Sequence, residues 1–238
     1  MKPILCIESG TNTCSVALGF SQELLGIMEN HEPNNNHAKN LTAFSQELLR
    51  VQGLKATDLA AVAVSKGPGS YTGLRIGVSA AKGICYGAGI PLIAIGSLNS
   101  MTYGALEWLQ DNNPSFTPDI ICPLIDARRM EVYTQLFDMN GKSISEVEAK
   151  ILDANSFSEM LKSKRMLFLG NGSQKAKEII TSANASFVDN FLPSAKYMLP
   201  LATKCIEQQL FEDVAYFEPL YLKDFVATVA KNKVLGSK

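Results

Sequence analysis

The sequence predicts an α/β protein of two lobes, in which one order of strands and helices occurs twice. Apolar segments of strand length alternate with segments of helical periodicity. The polar residues 112–118, which include two prolines, interrupt this alternation. A chain of 238 residues with 46% hydrophobic content can bury a core in each half. We therefore predict an N-terminal lobe of residues 1–111 and a C-terminal lobe of residues 112–238, whose last helix and tail pack back between the lobes.

The first lobe is predicted to begin with three strands. Residues Ile4–Glu8 and Cys14–Gly19 are apolar and β-prone, and the turn residues between them indicate a hairpin. Residues 23–29 supply a third strand, and the polar, Asn-rich residues 30–36 follow as a surface loop. The lobe therefore starts as three successive strands.

Helical periodicity begins at His37. Leu41, Phe44 and Leu48 recur at helical spacing, and Gly53 ends the run. A strand at residues 59–65, a Gly-Pro-Gly loop and three further elements complete the lobe. These three are a helix, a strand and a helix at residues 72–87, 92–95 and 98–109.

The second lobe is predicted to repeat this order. Its first two strands occupy residues 120–126 and 130–137, and Asn140-Gly141 is a strong hairpin signal into a third strand. The remaining elements alternate between strand and helix as in the first lobe. They comprise a strand at 144–152, a helix at 156–162, a strand at 166–169, a helix at 174–182, a strand at 186–189 and a helix at 195–209.

The overall charge argues against binding by a general electrostatic field. The chain has 22 Lys and Arg against 23 Asp and Glu, so it should not hold nucleic acid or an anionic membrane as a whole. Its apolar stretches are strand-sized, and its N-terminus lacks the apolar core of a signal peptide. We therefore expect no membrane association and a cytoplasmic protein.

The cysteines and histidines do not form a recognisable reactive or metal site. Five scattered cysteines, mostly in apolar runs, predict small buried hydrophobic residues. His31 and His37 lie outside the i, i+4 spacing of a helical metal pair. We predict no metal and no cofactor.

Two loops are the best candidates for ligand binding. Gly67 and Gly69 precede a helix, whose free N–H groups favour an anion. Glu8 and Thr11 flank the first turn and are equally weak candidates for a cofactor site. The alternative is that the glycine loop is a tight strand-to-helix turn and that Glu8 is a structural acid.

The helix at residues 72–87 has an unusually smooth surface. Glycine, alanine and serine recur along it, so another helix could approach closely. This smoothness predicts either internal packing or a tight subunit interface, and periodicity does not choose between them.

Residues 126–133 place charges of both signs around a tight hairpin. One interpretation is a turn held by salt bridges, which would contribute little stability. The other is a surface that binds a partner or an RNA phosphate.

Several of these segments resemble the bacterial TsaB (YeaZ) family, whose members act in forming threonylcarbamoyladenosine beside the anticodon of transfer RNA. The most specific match is residues 67–75, which read Gly-Pro-Gly-Ser-Tyr-Thr-Gly-Leu-Arg. Residues 7–18, 90–92, 126–133 and 219–222 match in the same order along the chain. The resemblance implies the two-lobed actin-like ATPase (ASKHA) fold with a duplicated βββαβαβα unit.

The resemblance also implies that this chain is not the catalyst. TsaD, the catalytic relative, carries a His-x-x-x-His metal pair, and Ser97 and Met101 align with those histidines here. A hydroxyl and a thioether cannot replace two imidazoles on a hard Lewis-acid metal. We therefore expect a non-catalytic subunit that binds and activates TsaD.

The resemblance further implies which surface and partners are involved. TsaE, an ATPase, is a further expected partner, transfer RNA is expected to bind through the complex, and a homodimer could use the same helices. The alternative is an autonomous ATP-binding phosphotransferase or ATPase, whereas a metallopeptidase lacks its metal pair. The residues expected to contact TsaD are Leu41, Phe44, Leu48, Tyr71, Gly73, Arg75, Gly77, Ala80 and Ala81.

Overall fold

The first lobe is built on a five-stranded mixed sheet. The computed structural model describes residues 2–21, 23–32 and 36–223. The strand order is β3-β2-β1-β4-β5, with β1 antiparallel to β2 and parallel to β4. The strands are β1 (Ile4–Glu8), β2 (Cys14–Gly19), β3 (Leu24–Asn30), β4 (Ala61–Gly67) and β5 (Leu92–Gly96).

A second five-stranded sheet repeats this plan. Its order is β10-β9-β6-β7-β8, and β6 is antiparallel to β7 and parallel to β9. The strands are β6 (Ile120–Asp126), β7 (Glu131–Thr134), β8 (Glu148–Ile151), β9 (Met166–Leu169) and β10 (Ala185–Phe187). Because β6 occupies the place of β1 in the same order, the predicted duplication of the α/β unit is confirmed.

Helices cover both faces of the first sheet. Side chains of β1 alternate between the faces, so that Leu5 and Ile7 lie in the core that α1 and α2 cover, while Ile4 and Cys6 lie in the core that α6 covers. No helix in the described ranges is long and apolar enough to cross a membrane. The helices are α1 (His37–Val51), α2 (Tyr71–Ala88), α3 (Ser97–Asn112), α4 (Ser158–Leu161), α5 (Ser173–Ile179) and α6 (Leu199–Glu207).

Several predicted elements of the second lobe are shorter in the structure. The segment predicted as a helix at 195–209 begins with a 3₁₀ turn, and α6 starts at Leu199 with Pro200 in its first turn. Proline is favoured at this position because an N–H in the first turn has no acceptor within the helix, so its absence costs no hydrogen bond. The strand predicted at 130–137 ends at Thr134, and Phe137 instead forms an isolated bridge with Ile121.

Residues after α6 run back across both lobes. The Glu212 N–H donates to the Leu92 carbonyl at 2.9 Å, and the Leu220 N–H donates to the Lys66 carbonyl at 2.7 Å. Lys223 then reaches the carboxylate of Glu131 in the second lobe. The two-lobe division at residue 112 stays a prediction, whereas α6 packs on the sheet of the first lobe.

Four of the five cysteines are buried, which confirms their predicted packing role. Burial raises the pKa of Cys14 and Cys85 to about 11 and that of Cys122 to about 12. A thiol in this state is a poor nucleophile at neutral pH. Cys205 is partly buried.

The packing of α2 predicts opposite effects for two glycine substitutions. A Cβ atom on Gly77 would lie 2.1 Å from the Ser9 hydroxyl oxygen, so Gly77→Ala should destabilise the protein by about 1–3 kcal/mol. Gly83 has nothing within 4 Å of its Cβ position, so Gly83→Ala should stabilise the exposed helix by up to about 1 kcal/mol. Urea unfolding of both variants checks this, and shifts of the same sign would contradict the inward orientation of Gly77.

Candidate functional site

The glycine loop before α2 packs directly on the turn that follows β1. The Ser70 N–H donates to the Gly10 carbonyl at 2.6 Å, and the Ser70 hydroxyl accepts a hydrogen bond from the Gly73 N–H at 3.2 Å. A Cβ atom on Gly69 would lie 2.1 Å from the Gly10 oxygen, so only glycine permits this approach. Two of the N–H groups at the start of α2 therefore already have acceptors within the protein.

Glu8 lies beneath this contact with only 1% of its surface exposed. Its Oε1 accepts a hydrogen bond from the Gly10 N–H at 2.6 Å. Burial raises the pKa of the Glu8 carboxyl, and hydrogen bonds from Gly10 and Ser65 oppose that effect. Glu8 is therefore a buried acid that is protonated more readily than an exposed glutamate.

A small group of buried polar atoms surrounds Glu8. No protein partner is found in the described structure for Glu8 Oε2 or for the hydroxyls of Ser9, Ser97 and Ser100. A Cβ atom on Gly10 would lie 3.0 Å from the Ser97 oxygen and 3.1 Å from Glu8 Oε1, so the turn and the start of α3 meet here. Buried hydroxyls of this kind are commonly satisfied by internal water.

These residues do not fit a nucleotide with its metal ion. Glu8 is 1% exposed, whereas a carboxylate that orients metal-bound water must be accessible. The Thr11 hydroxyl accepts from the Thr13 N–H at 3.1 Å. A Cβ atom on Gly67 would lie 2.8 Å from the Leu220 carbonyl oxygen, because the C-terminal segment crosses the loop. The four weak ligand candidates, Glu8, Thr11, Gly67 and Gly69, are thus held in contacts within the chain.

The positions aligned with the metal-binding histidines lie on α3. Ser97 is 1% exposed and Met101 is fully buried. The Met101 methyl carbon packs against the loop after β9, where a Cβ atom on Gly170 would approach it to 2.4 Å. No group of three or more His, Cys, Asp or Glu side chains in the described part of the chain could hold a metal ion.

Five of the nine residues predicted to contact a partner are buried within this chain, and their contact with a partner stays a prediction. Leu41 and Leu48 belong to the core of the first lobe, as does Ala81. Gly73 and Gly77 face the turn after β1, where Cβ atoms would lie 2.1 Å from the carbonyl and hydroxyl oxygens of Ser9. Helical spacing identifies one face of a helix but cannot tell whether that face meets the protein's own sheet or a partner.

The other face of α2 is exposed and consists mainly of small residues. We call it the α2 outer face. Ala80, Ile76 and Ile84 border this face and are half-buried, and Phe44 of α1 is half-buried as well. The α2 outer face comprises Thr72, Arg75, Ser79, Gly83, Tyr86 and Gly87, which recur at helical spacing.

Aromatic side chains lie at both ends of this face. Tyr86 is 86% exposed. At the other end the rings of Tyr71 and Tyr221 have centroids 4.7 Å apart, and Arg75 donates to the Tyr71 hydroxyl at 3.0 Å. Sequence reasoning did not place Tyr221 at this face, since only the tertiary fold brings the C-terminal segment to α2.

Lys82 links the C-terminal segment to α2. Lys82 Nζ donates to the carbonyl of Ala215 at 2.9 Å and to that of Phe217 at 3.1 Å. Residues 211–223 therefore form one border of the α2 outer face.

The burial of Glu8 predicts a pH-dependent effect for Glu8→Gln. Burial raises the pKa of Glu8 from 4.5, so its contribution to stability is complete below that pH and is lost as pH rises through the folded-state pKa. The glutamine cannot ionise and escapes this loss. The free energy of unfolding of the variant, relative to that of the native chain, should therefore increase as the pH rises, by at most about 1.4 kcal/mol per pH unit. Urea unfolding from pH 4 to 8 measures this, with the exposed Glu159→Gln as the control. A relative gain that shrinks with pH would show that the folded state favours the charged form.

Comparison with known proteins identifies the family. A family model described as TsaD: tRNA N6-adenosine threonylcarbamoyltransferase matches residues 31–231. The tRNA threonylcarbamoyladenosine biosynthesis protein TsaB of Escherichia coli is 31% identical over 232 residues, which cover 94% of this chain and 96% of that protein. The TsaB of Haemophilus influenzae is 31% identical over 235 residues, which cover 94% of each chain. A tRNA N6-adenosine threonylcarbamoyltransferase of Latilactobacillus sakei is 32% identical over 106 residues, which cover 43% of this chain and 30% of that protein.

The solved structures agree at the level of the fold. YeaZ from Pseudomonas aeruginosa superposes with a TM-score of 0.76 at 22% identity, covering 93% of this chain and 100% of that one. The chain therefore belongs to the TsaB (YeaZ) family of tRNA threonylcarbamoyladenosine biosynthesis proteins, as its sequence motifs indicated.

Proposed function

We propose that this chain is a non-catalytic subunit in the synthesis of threonylcarbamoyladenosine on transfer RNA, and that it binds a TsaD-type transferase. Relatives that match 94% of the chain are named for this biosynthesis. The family model that covers residues 31–231 describes the transferase itself. This shared ancestry favours pairing between two related folds.

The absence of a catalytic role is supported by the chemistry of α3. The hydroxyl of Ser97 and the thioether of Met101 are poor ligands for the metals that two imidazoles bind. Both residues are buried against the chain's own loops. We therefore assign Ser97 and Met101 a role in packing and not in metal binding.

The observation that carries the proposed interface is the α2 outer face. Gly83 and Gly87 have nothing within 4 Å of their Cβ positions, so a partner helix could approach the backbone closely. Tyr86, 86% exposed, offers the kind of aromatic anchor that dominates binding energy in many interfaces. A helix face of small residues beside a projecting ring is suited to helix-on-helix docking.

The same face would also limit how the complex assembles. A homodimer formed through the α2 outer face would compete with the transferase, because one surface cannot bind both. We place the protein in the cytoplasm with its transfer RNA substrate, and we propose a TsaE-type ATPase as a further partner of the assembled complex.

A bulky charged side chain on the α2 outer face should weaken this pairing. Gly83→Arg adds bulk where the helices would meet, and its Cβ atom would have nothing within 4 Å in the isolated chain. The variant should therefore retain the fold and weaken binding to TsaD from the same organism at least about tenfold. Calorimetric titration measures the affinity, and thermal unfolding checks the fold.

Gln110→Arg is the matched control, because it adds the same side chain at an exposed helical position outside the α2 outer face. Wild-type affinity in both arginine variants would exclude the α2 outer face as the interface. A parallel titration of ATP into the chain alone should show no binding. Tight ATP binding without transferase binding would instead favour the autonomous phosphotransferase.

A further inference from the structure

The turn between β6 and β7 has an unusual backbone. Arg128 and Arg129 are consecutive and both left-handed, with φ angles of 69° and 50°. Positive φ angles are normally adopted by Gly, Asn or Asp, because larger side chains are disfavoured there. Costly conformations of this kind persist where the surrounding structure enforces them, and they cluster at functional sites.

Hydrogen bonds hold the turn in this conformation. The Arg128 N–H donates to Asp126 Oδ1 at 2.6 Å, and the Glu131 N–H donates to the Arg128 carbonyl at 3.2 Å. The Asp126 N–H donates to Asn171 Oδ1 at 2.9 Å, which ties the turn to the loop after β9. Both backbone groups of Arg128 are therefore held within the protein before any ligand binds.

Lysines from elsewhere in the chain neutralise the acids of this hairpin. Lys175 of α5 lies 2.7 Å from Asp126 Oδ1, and Lys223 pairs with Glu131. The sequence left open a turn held by its own salt bridges, but neither arginine forms an ion pair with a described residue. Both arginines are exposed.

The result is a local excess of positive charge on a chain with a net charge of −1. Two guanidinium groups project from one rigid turn, and each can form paired hydrogen bonds to phosphate oxygens. Met130 and Ile151, which are 40% and 72% exposed, flank the turn with apolar surface that could lie against a ribose or a base. This combination suits a phosphodiester backbone better than an isolated small anion.

We propose that Arg128 and Arg129 bind the phosphate backbone of transfer RNA directly, in an orientation fixed by the strained turn. This inference rests on the proposed function for the identity of the RNA. The contact extends that function, because the chain would then position the substrate as well as bind the transferase.

The test is a double variant that keeps the turn and removes both charges. Arg128→Asn with Arg129→Gly installs two residues that adopt positive φ angles more readily than arginine, so thermal stability should hold or rise. Its affinity for unmodified transfer RNA, measured by fluorescence anisotropy, should fall at least about tenfold. A plot of log affinity against log salt concentration has a negative slope, and this slope should become shallower by about 0.7–0.9 for each RNA phosphate that the arginines no longer neutralise. A purely structural role for the arginines would leave that slope unchanged.

The control is Lys162→Gln with Lys164→Gln, which removes two positive charges from an exposed segment elsewhere. Anisotropy is measured for the chain alone in low salt and for the chain with TsaD. Equal losses of affinity in both double variants would overturn the proposal, because binding would then follow total charge. Unchanged RNA affinity in the turn variant would overturn it as well, and a simultaneous loss of TsaD binding would assign the turn to a protein partner.

The two proposals can fail separately. If Gly83→Arg leaves TsaD binding intact, the α2 outer face is not the interface, yet the RNA measurement on the chain alone still tests the arginines. If the turn variant loses only RNA affinity and salt dependence, the contact with transfer RNA is established whichever surface TsaD uses.

Discussion

The arrangement of the first lobe depends on the contact between the backbone of Gly10 and the start of α2. The Ser70 N–H reaches the Gly10 carbonyl at 2.6 Å, which is possible because Gly69 has no side chain to separate the two loops. This contact encloses Glu8 and fixes the rotation of α2 about its axis. One helix then serves two purposes, with Gly73 and Gly77 against the turn after β1 and the α2 outer face directed away from the core.

The same contact accounts for the chemistry of the glycine loop and of Glu8. A loop of this kind can bind phosphate through its free N–H groups, but here the protein itself supplies acceptors to two of them, those of Ser70 and Gly73. Glu8, buried and more readily protonated than usual, reinforces that arrangement. The two-lobed fold is therefore retained, while the glycine loop and the turn after β1 contact each other and stabilise the protein. The surface that we propose for a partner, the α2 outer face, is directed away from these loops.

The C-terminal segment connects these surfaces. Lys82 fixes it beside α2, Leu220 pairs with the backbone of Lys66, and Lys223 reaches Glu131 of the second lobe. Because Lys223 neutralises Glu131, this carboxylate is not left as a free partner for Arg128 or Arg129. The proposed protein interface and the proposed RNA contact thus share one structural element, although neither proposal requires the other.

Periodicity and turn chemistry were sufficient to predict the order of the strands and helices, and the motif at residues 67–75 was sufficient to indicate the family, because both are local properties of the chain. The shortened elements, such as β7, could not be predicted from the sequence, since strand length depends on pairing with distant residues. The direction in which Gly77 and Gly83 face was also decided only by the tertiary structure. A helical repeat is the same whether it packs against its own sheet or a partner, and an acid such as Asp126 gives no local sign that Lys175 will neutralise it.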